Sequence, residues 1–434
     1  MTHPRPCPPH RGGTPHRGGL VPHAALASLL VVLAGTVYSA VAQEAPSGWP
    51  ADTQPGQLLE AVYLERWDPG EVQRRAAAVF GAYGPPSIEN AVDLWRLRFV
   101  TTDLDGAPAV VSAQAFTPVA PPRGAAPLLV YGAGTTGLAA ACAPSREHER
   151  PAPLGYYREL LAPYAGRGLA VVLPDYLGFD DPQRPQAYFV AEAEAHVMLD
   201  AARAAQALYA TGAPAGGLRD DVFVAGYSQG GHAAFATADR HVAYAPELHL
   251  RGAIGHAPTT DVAALLATAG YYAAYVLLAY RDAYGEAIDP AQVLAPRFLA
   301  GLVGEAGGLC VDRTQQIYPY DVAAVYTPAF HHALQAGRPE VAAPAFARAL
   351  AENATGLSGH ALPALVIQGG QDVVVRDATQ EAFVSALCAT GSAVTYLHVP
   401  LARHRDTRPA GFDATLAWLW LLADGHPAPS TCGR

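Results

Sequence analysis

The pentapeptide Gly226-Tyr227-Ser228-Gln229-Gly230 constrains this chain more than any other stretch. It follows the apolar, β-rich run 222–225 and opens a segment with helical spacing, 231–239. A serine flanked by glycine two residues away on either side, at a strand-to-helix junction, reads as a turn so tight that the serine backbone is strained. Its Oγ then stands clear of the sheet. A side chain at either glycine would collide with the neighbouring strand or the departing helix. A serine hydroxyl is a poor nucleophile near neutral pH, so a reactive Ser228 calls for a base and for a carboxylate that orients the base.

The surrounding text alternates strand and helix. Trp95, Leu97 and Phe99 alternate with Arg96 and Arg98, Asp103-Leu104-Asp105-Gly106 offers a turn, and 109–116 reads as a second strand. Short apolar runs at 128–131, 169–173, 222–225, 253–255, 365–368 and 394–399 then alternate with helical text at 154–164, 191–209, 379–387 and 414–422. This pattern predicts an α/β fold: a mostly parallel, twisted sheet covered by helices on both faces, with antiparallel strands at one edge. From about residue 260 to 357 no strand is evident, which predicts a helical cap inserted into the domain 43–434.

Downstream of that insertion, the run 365–368 leads into Gly369-Gly370-Gln371-Asp372, a strand followed by a loop that ends in a carboxylate. Enzymes built on such an elbow place serine, acid and histidine in that chain order, which makes Asp372 the acid. Asp377 competes, but it falls where the next helix begins and reads as its N-cap. One strand later a loop carries His404, the expected base. His398 lies inside the strand and reads as a hydrogen-bonded core histidine. His331 and His332 fall in the insertion without a carboxylate in the right order, and His232 and His256 read as structural. Asp175 precedes the nucleophile and also reads as structural. Amide donors for an oxyanion are expected from Gln229, the residue after the serine, and from the loop Gly132-Ala133-Gly134-Thr135-Thr136-Gly137, with Thr135 chosen.

The run 262–280 holds 19 residues without a charge, long enough for a membrane span. One crossing there would leave Ser228 on the far side of a bilayer from Asp372 and His404, so the run is read as a cap helix. Tyr271, Tyr272 and Tyr275 on it suit an apolar–aqueous boundary. An integral membrane protein is not expected.

All 28 basic residues are Arg, against 38 acidic residues, and no basic face shows in the sequence; nucleic acid is excluded as a partner. Arg5, Arg11 and Arg17, an uncharged run 24–38 and Ala40-Val41-Ala42 predict a signal peptide over residues 1–42 and a secreted product; an uncleaved membrane anchor is the alternative. Cys7 leaves with that leader. Cys142, Cys310, Cys388 and Cys432 then suggest two disulfides, with three possible pairings, or free buried thiols. No spacing is C-x-x-C, which gives zinc and redox motifs no support. Asn353-Ala354-Thr355 is a glycosylation sequon in a host with the machinery.

Gly-Tyr-Ser-Gln-Gly-Gly-His-Ala (226–233), Gly-Thr-Thr-Gly-Leu (134–138) and Cys-Ala-Pro-Ser (142–145) together resemble the secretory lipase family, the lipase-A-like α/β-hydrolases with a helical cap. The resemblance spans most of residues 55–434. It implies an extracellular serine ester hydrolase with no cofactor or metal. It also implies the disulfides Cys142–Cys310 and Cys388–Cys432. Where such enzymes often carry a histidine before the glycine of the oxyanion loop, this chain has Ala133. The reading is therefore a secreted lipase or esterase, a monomer, acting on a small-molecule or lipid ester in solution or at a lipid–water interface. Alternatives are a polyester or bulky aromatic ester hydrolase, a serine peptidase or amidase on the same fold, and an inactive hydrolase-like binding protein.

Overall fold

The computed structural model describes residues 52–433 except 122 and 151–152. The expected leader, residues 1–42, lies outside the described residues.

Nine strands form one sheet in the order β1-β2-β3-β5-β4-β6-β7-β8-β9. The last six in chain order run parallel: β4 (Ala126–Gly132), β5 (Ala170–Pro174), β6 (Leu218–Tyr227), β7 (His249–His256), β8 (Ala364–Gly369) and β9 (Val394–Val399). Every residue of β4, β5 and β8 is buried, so both faces of the sheet are covered there. Double coverage is why these strands read as unbroken apolar runs. β2 (Val92–Thr102) and β3 (Pro108–Pro118) form the expected antiparallel hairpin and join the parallel part through β5.

β1 (Leu58–Trp67), antiparallel to β2 at the sheet's edge, escaped the sequence reading. Its charged Glu60 and Glu65 sit on the half-buried side while Leu59, Tyr63 and Leu64 are exposed. Two irregularities, at Leu58/Glu60 and Tyr63/Glu65, shift the register. Alternation is therefore present but inverted in polarity.

Helices α1 (Pro69–Phe80) and α2 (Tyr157–Gly166) pack together, as do α3 (Ala191–Ala210) and α4 (Gln229–Tyr244). Ala191, Ala195 and Ala236 form a buried cluster between the last two, where small side chains let the helices approach closely. Among the described residues, the chain between β7 and β8 contains no strand. It runs through α5 (Val262–Leu266), α6 (Ala273–Tyr284), α7 (Val311–Ile317), α8 (Pro328–Gln335) and α9 (Pro344–Glu352), with shorter turns between them. The sequence reading of 262–280 as one helix needs correction. The helix stops after Leu266, where the Thr268 hydroxyl lies 3.1 Å from the carbonyls of both Leu265 and Val374, and a 3₁₀ turn at Gly270–Tyr272 precedes α6. The Thr268 hydroxyl competes there with the backbone for the helix carbonyl, and Gly270 lies in the same break. No helix of the described residues is long and apolar enough to cross a membrane.

α10 (Asp377–Ala389) and α11 (Phe412–Ala423) complete the layers. Two disulfides are present: Cys142–Cys310, which ties the loop after β4 to the start of α7, and Cys388–Cys432, which ties α10 to the C-terminal tail. That tail lies beside β9, with the Thr431 N–H donating to the Val394 carbonyl at 2.7 Å.

Candidate active site

Ser228 stands between β6 and α4 with φ +55° and ψ −113°, a backbone that bulky residues seldom adopt. The glycines explain how it is reached. A Cβ on Gly226 would lie 1.9 Å from the Gly230 carbonyl oxygen, and one on Gly230 would lie 1.8 Å from that of Gly132 in β4. The elbow thus closes on itself and against the neighbouring strand. The Ser228 N–H donates to the His256 carbonyl at the end of β7 (3.0 Å), while its own carbonyl accepts from Gly231 (2.9 Å) and Thr259 (3.1 Å).

Asp372 follows β8 and is buried. Its Oδ1 accepts the N–H groups of Val374 (2.8 Å) and Val375 (2.9 Å), which fixes the carboxylate and aims Oδ2 at His404 Nδ1, 2.7 Å away. His404 follows β9. Its Nε2 is buried and has no hydrogen-bond partner among the described residues. No hydrogen bond joins it to Ser228, but both side chains line one cavity of about 300 Å³. The unpartnered Nε2 is the ring nitrogen that a general base in this position uses, and catalytic hydrogen bonds are often long or unformed in the free enzyme. The Tyr227 ring backs the imidazole, with centroids 4.9 Å apart.

Thr135 lines the same cavity. Its loop lies beyond the C-terminal end of β4, as Ser228, Asp372 and His404 lie beyond the ends of β6, β8 and β9. All four candidate residues therefore gather at one edge of the sheet. Among the described residues the Thr135 N–H donates to nothing. Gln229, the first residue of α4, has an N–H that the helix leaves free. The Thr135 loop is held from behind. The Tyr157 hydroxyl accepts the Gly134 N–H at 2.6 Å, the Tyr176 hydroxyl donates to the Ala133 carbonyl at 2.6 Å, and the Tyr188 hydroxyl meets Thr135 Oγ1 at 2.7 Å. Three tyrosines thus support the loop in which the chain lacks a histidine at 133. The Val311 N–H donates to the Thr136 carbonyl at 2.8 Å, beside the Cys142–Cys310 bond, and anchors the loop to α7.

The remaining sequence candidates lie elsewhere. Asp377 is the first residue of α10 and not its N-cap, which is Arg376; its Oδ2 instead meets His398 Nε2 at 3.1 Å. His398 is hydrogen-bonded as expected, but it is half-exposed and not in the core. His331 and His332 sit on α8, away from the cavity. His256 is fully buried with Nδ1 3.1 Å from the Thr407 carbonyl, and burial depresses its pKa to about 4. Asp175 is buried against the N–H and hydroxyl of Ser145, and burial raises its pKa to about 8. Neither His256 nor Asp175 lines the cavity. The sequon residue Asn353 is buried, its Nδ2 donating to the Tyr284 hydroxyl and the Ala349 carbonyl, which leaves no room for a glycan.

Two further parts of the site lie outside the sequence reading, apart from Tyr271 and Tyr272, which it places on the cap. Glu147 is buried and accepts the N–H groups of Gly155, Tyr156 and Tyr157, organising the start of α2 beside the cavity; burial lifts its pKa to about 7. Five tyrosines (157, 227, 271, 272 and 320) and Gln315 line the cavity, four of these six from the segment between β7 and β8. Val373 and Tyr320, at its mouth, are 79% and 71% exposed. A larger, more open depression of about 1000 Å³ lies between α4, α5 and α10, but it contains neither the elbow nor any histidine. Among the described residues no cluster of His, Cys, Asp and Glu is placed to hold a metal ion.

A mostly parallel sheet with a strained serine on the turn after β6, and a carboxylate–histidine pair on the loops after β8 and β9, defines an α/β-hydrolase fold. Residues 154–279 match the model of the secretory lipase family, in line with the resemblance drawn from the motifs. No curated protein matches the chain. Among solved structures the chain is similar to the rice cell wall degrading esterase LipA of Xanthomonas oryzae, at 21% identity and TM-score 0.68, covering 87% of this chain and 99% of that one. It is also similar to a putative hydrolase of Legionella pneumophila (18% identity, TM-score 0.72, 86% and 99% covered). Candida antarctica lipase A is a third (19% identity, TM-score 0.65, 88% and 85% covered). The fold is shared with these structures, and the match to the secretory lipase model is confined to residues 154–279.

Proposed function

We propose that the protein is a secreted serine ester hydrolase, a lipase or esterase, working through Ser228, His404 and Asp372 and an acyl-enzyme intermediate. The observation that carries this reading is the Asp372–His404 contact, with an unpartnered Nε2, in the same cavity as a serine on a strained elbow. His404 Nε2 takes the Ser228 proton as Oγ attacks the ester carbonyl. The N–H groups of Gln229 and Thr135 receive the oxyanion. As the tetrahedral species collapses, His404 passes the proton to the departing alkoxide, leaving an ester on Ser228. Water, deprotonated by the same imidazole, repeats the sequence and frees the acid. Asp372 holds the imidazole tautomer throughout. In this reading residues 1–42 are a cleaved leader, and 43–434 form the hydrolase domain with a cap at about 260–357. Two disulfides support an oxidising, extracellular location.

Replacing Ser228 by Ala leaves a folded protein that loses p-nitrophenyl ester turnover by about 10⁴-fold or more. Undiminished turnover in that variant ends the assignment. Labelling of the wild type by a fluorophosphonate, absent in the variant, also excludes an inactive binding protein.

The tyrosine-lined cavity of about 300 Å³ favours one alternative, hydrolysis of aromatic esters. Its volume is at the small end for a ligand site, and aromatic walls favour flat acyl groups. In a panel of matched esters, benzoyl and short acyl groups are expected to be cleaved faster than palmitoyl. A rate that climbs with chain length and jumps once droplets form would instead mark a lipase. Turnover of matched amides at comparable rates would mark a peptidase or amidase.

A further inference from the structure

Beneath the elbow lies a carboxylate that the proposed chemistry does not use. Glu194, on the first turn of α3, is 1% exposed. Its Oε1 accepts from Gln229 Nε2 at 2.8 Å and from the Phe189 N–H at 3.1 Å, and its Oε2 meets His232 Nδ1 at 2.6 Å. His232 is fully buried, and its Nε2 donates to the Asn353 carbonyl at 2.7 Å.

Each arm of this network leads to one side of the oxyanion site. Gln229 offers one of the two N–H groups, and the tie from its side chain to Glu194 fixes the first residue of α4 against rotation. Phe189 holds a positive φ of 55°, an uncommon state for an aromatic residue that needs support from its surroundings. Glu194 binds the N–H of that strained residue. The residue before it, Tyr188, carries the hydroxyl that meets Thr135 Oγ1. Gln229 is thus joined to Glu194 directly, and Thr135 through Tyr188 and Phe189. Packing alone does not call for a buried carboxylate, since an apolar side chain fills space without a desolvation penalty.

We propose that Glu194 is a positioning residue that sets the separation and aim of the two oxyanion donors. The proposal rests on the ester-hydrolase reading above. Its test compares kcat, KM and affinity for a trifluoromethyl ketone, whose adduct with Ser228 places an oxyanion in the hole. Glu194→Ala is expected to lower kcat about 10- to 100-fold and to weaken the ketone by a similar factor, with KM changed by less than about threefold. Glu194→Gln is expected to restore most of kcat, because the amide oxygen still accepts from Gln229 and Phe189 while its NH₂ faces His232 Nδ1. The comparison for a merely structural role is Asp200, also buried on α3 and bonded to Thr101, Tyr244 and Arg203. Asp200→Ala should lose stability and keep kcat. If Glu194→Ala does not fold, Gln229→Leu, which keeps the N–H and removes only the tie, must lower kcat and ketone affinity in the same way.

Wild-type kcat and ketone affinity in a folded Glu194→Ala or Gln229→Leu protein overturns the proposal, as does an equal kcat loss in Asp200→Ala. Fluorophosphonate treatment of the wild type separates the two levels. No label on Ser228 sinks the hydrolase reading and this role with it, whereas a labelled wild type beside unaffected variants sinks only the role of Glu194.

Discussion

Gly226 shows how much of the molecule a single hydrogen atom can hold in place. A methyl group there would sit 1.9 Å from the Gly230 carbonyl oxygen, which is backbone and has nowhere to go because Gly230 is itself pressed on Gly132. Gly226→Ala is therefore expected to destabilise by about 3 kcal/mol or more, or to prevent folding, since relief requires parting α4 from β4. Thermal unfolding of the purified variant, or its absence from the soluble fraction, reads this directly; an unchanged Tm would mean that the turn is looser than described. At this scale the sequence was informative. Glycine spacing around Ser228 and the carboxylate and histidine after later strands are local patterns, and they pick out Ser228 and His404, which line the cavity, and Asp372, which meets His404. Glu194 was not legible. It sits in the helical text Ala-Glu-Ala-Glu-Ala-His (191–196), where an acid at the start of a helix reads as a solvated residue favoured by the dipole. Its partners, Gln229 and His232, lie 35 and 38 residues away.

Among the elements, the central strands were legible because coverage on both faces makes them uniformly apolar. Their ends were not. β6 and β7 begin four residues earlier than the apolar runs 222–225 and 253–255, in polar text that pairs at the rim of the sheet. The break after α5 was hidden because Gly270 stands alone in an otherwise helix-forming apolar run, where an isolated glycine is tolerated. β7 also carries a titration into the core. His256, its last residue, has a folded pKa of about 4 against an ordinary value of 6.5. Between those values the unfolded chain binds a proton that the folded chain refuses. The resulting stability is present above pH 6.5 and is lost as pH falls through 4, by up to ~3 kcal/mol. Urea unfolding at pH 7 and pH 4.5 should show a larger drop for the wild type than for His256→Gln; equal drops would mean that His256 does not contribute.

For the whole molecule, the two edges of the sheet are treated differently. β1 is left open, interrupted by its two irregularities, whereas β9 is overlaid by the tail through Thr431 and pinned by Cys388–Cys432. An uncovered strand edge invites pairing with another chain. Deleting residues 425–434 removes both the overlay and a cross-link that closes 44 residues of sequence. The truncated protein is expected to lose about 2–4 kcal/mol and to self-associate, as seen by light scattering. A monodisperse truncation with the parent's Tm would show that the tail is dispensable.

The other cross-link reaches much further along the chain. Cys142 and Cys310 are 168 residues apart, and the span between them includes the elbow and much of the helical segment that follows β7. A protease that cuts once anywhere within that span yields two fragments still joined covalently. They run as one band on a denaturing gel until a thiol is added. A preparation judged intact without reductant can therefore contain clipped chains, and mass analysis after reduction is the way to count them.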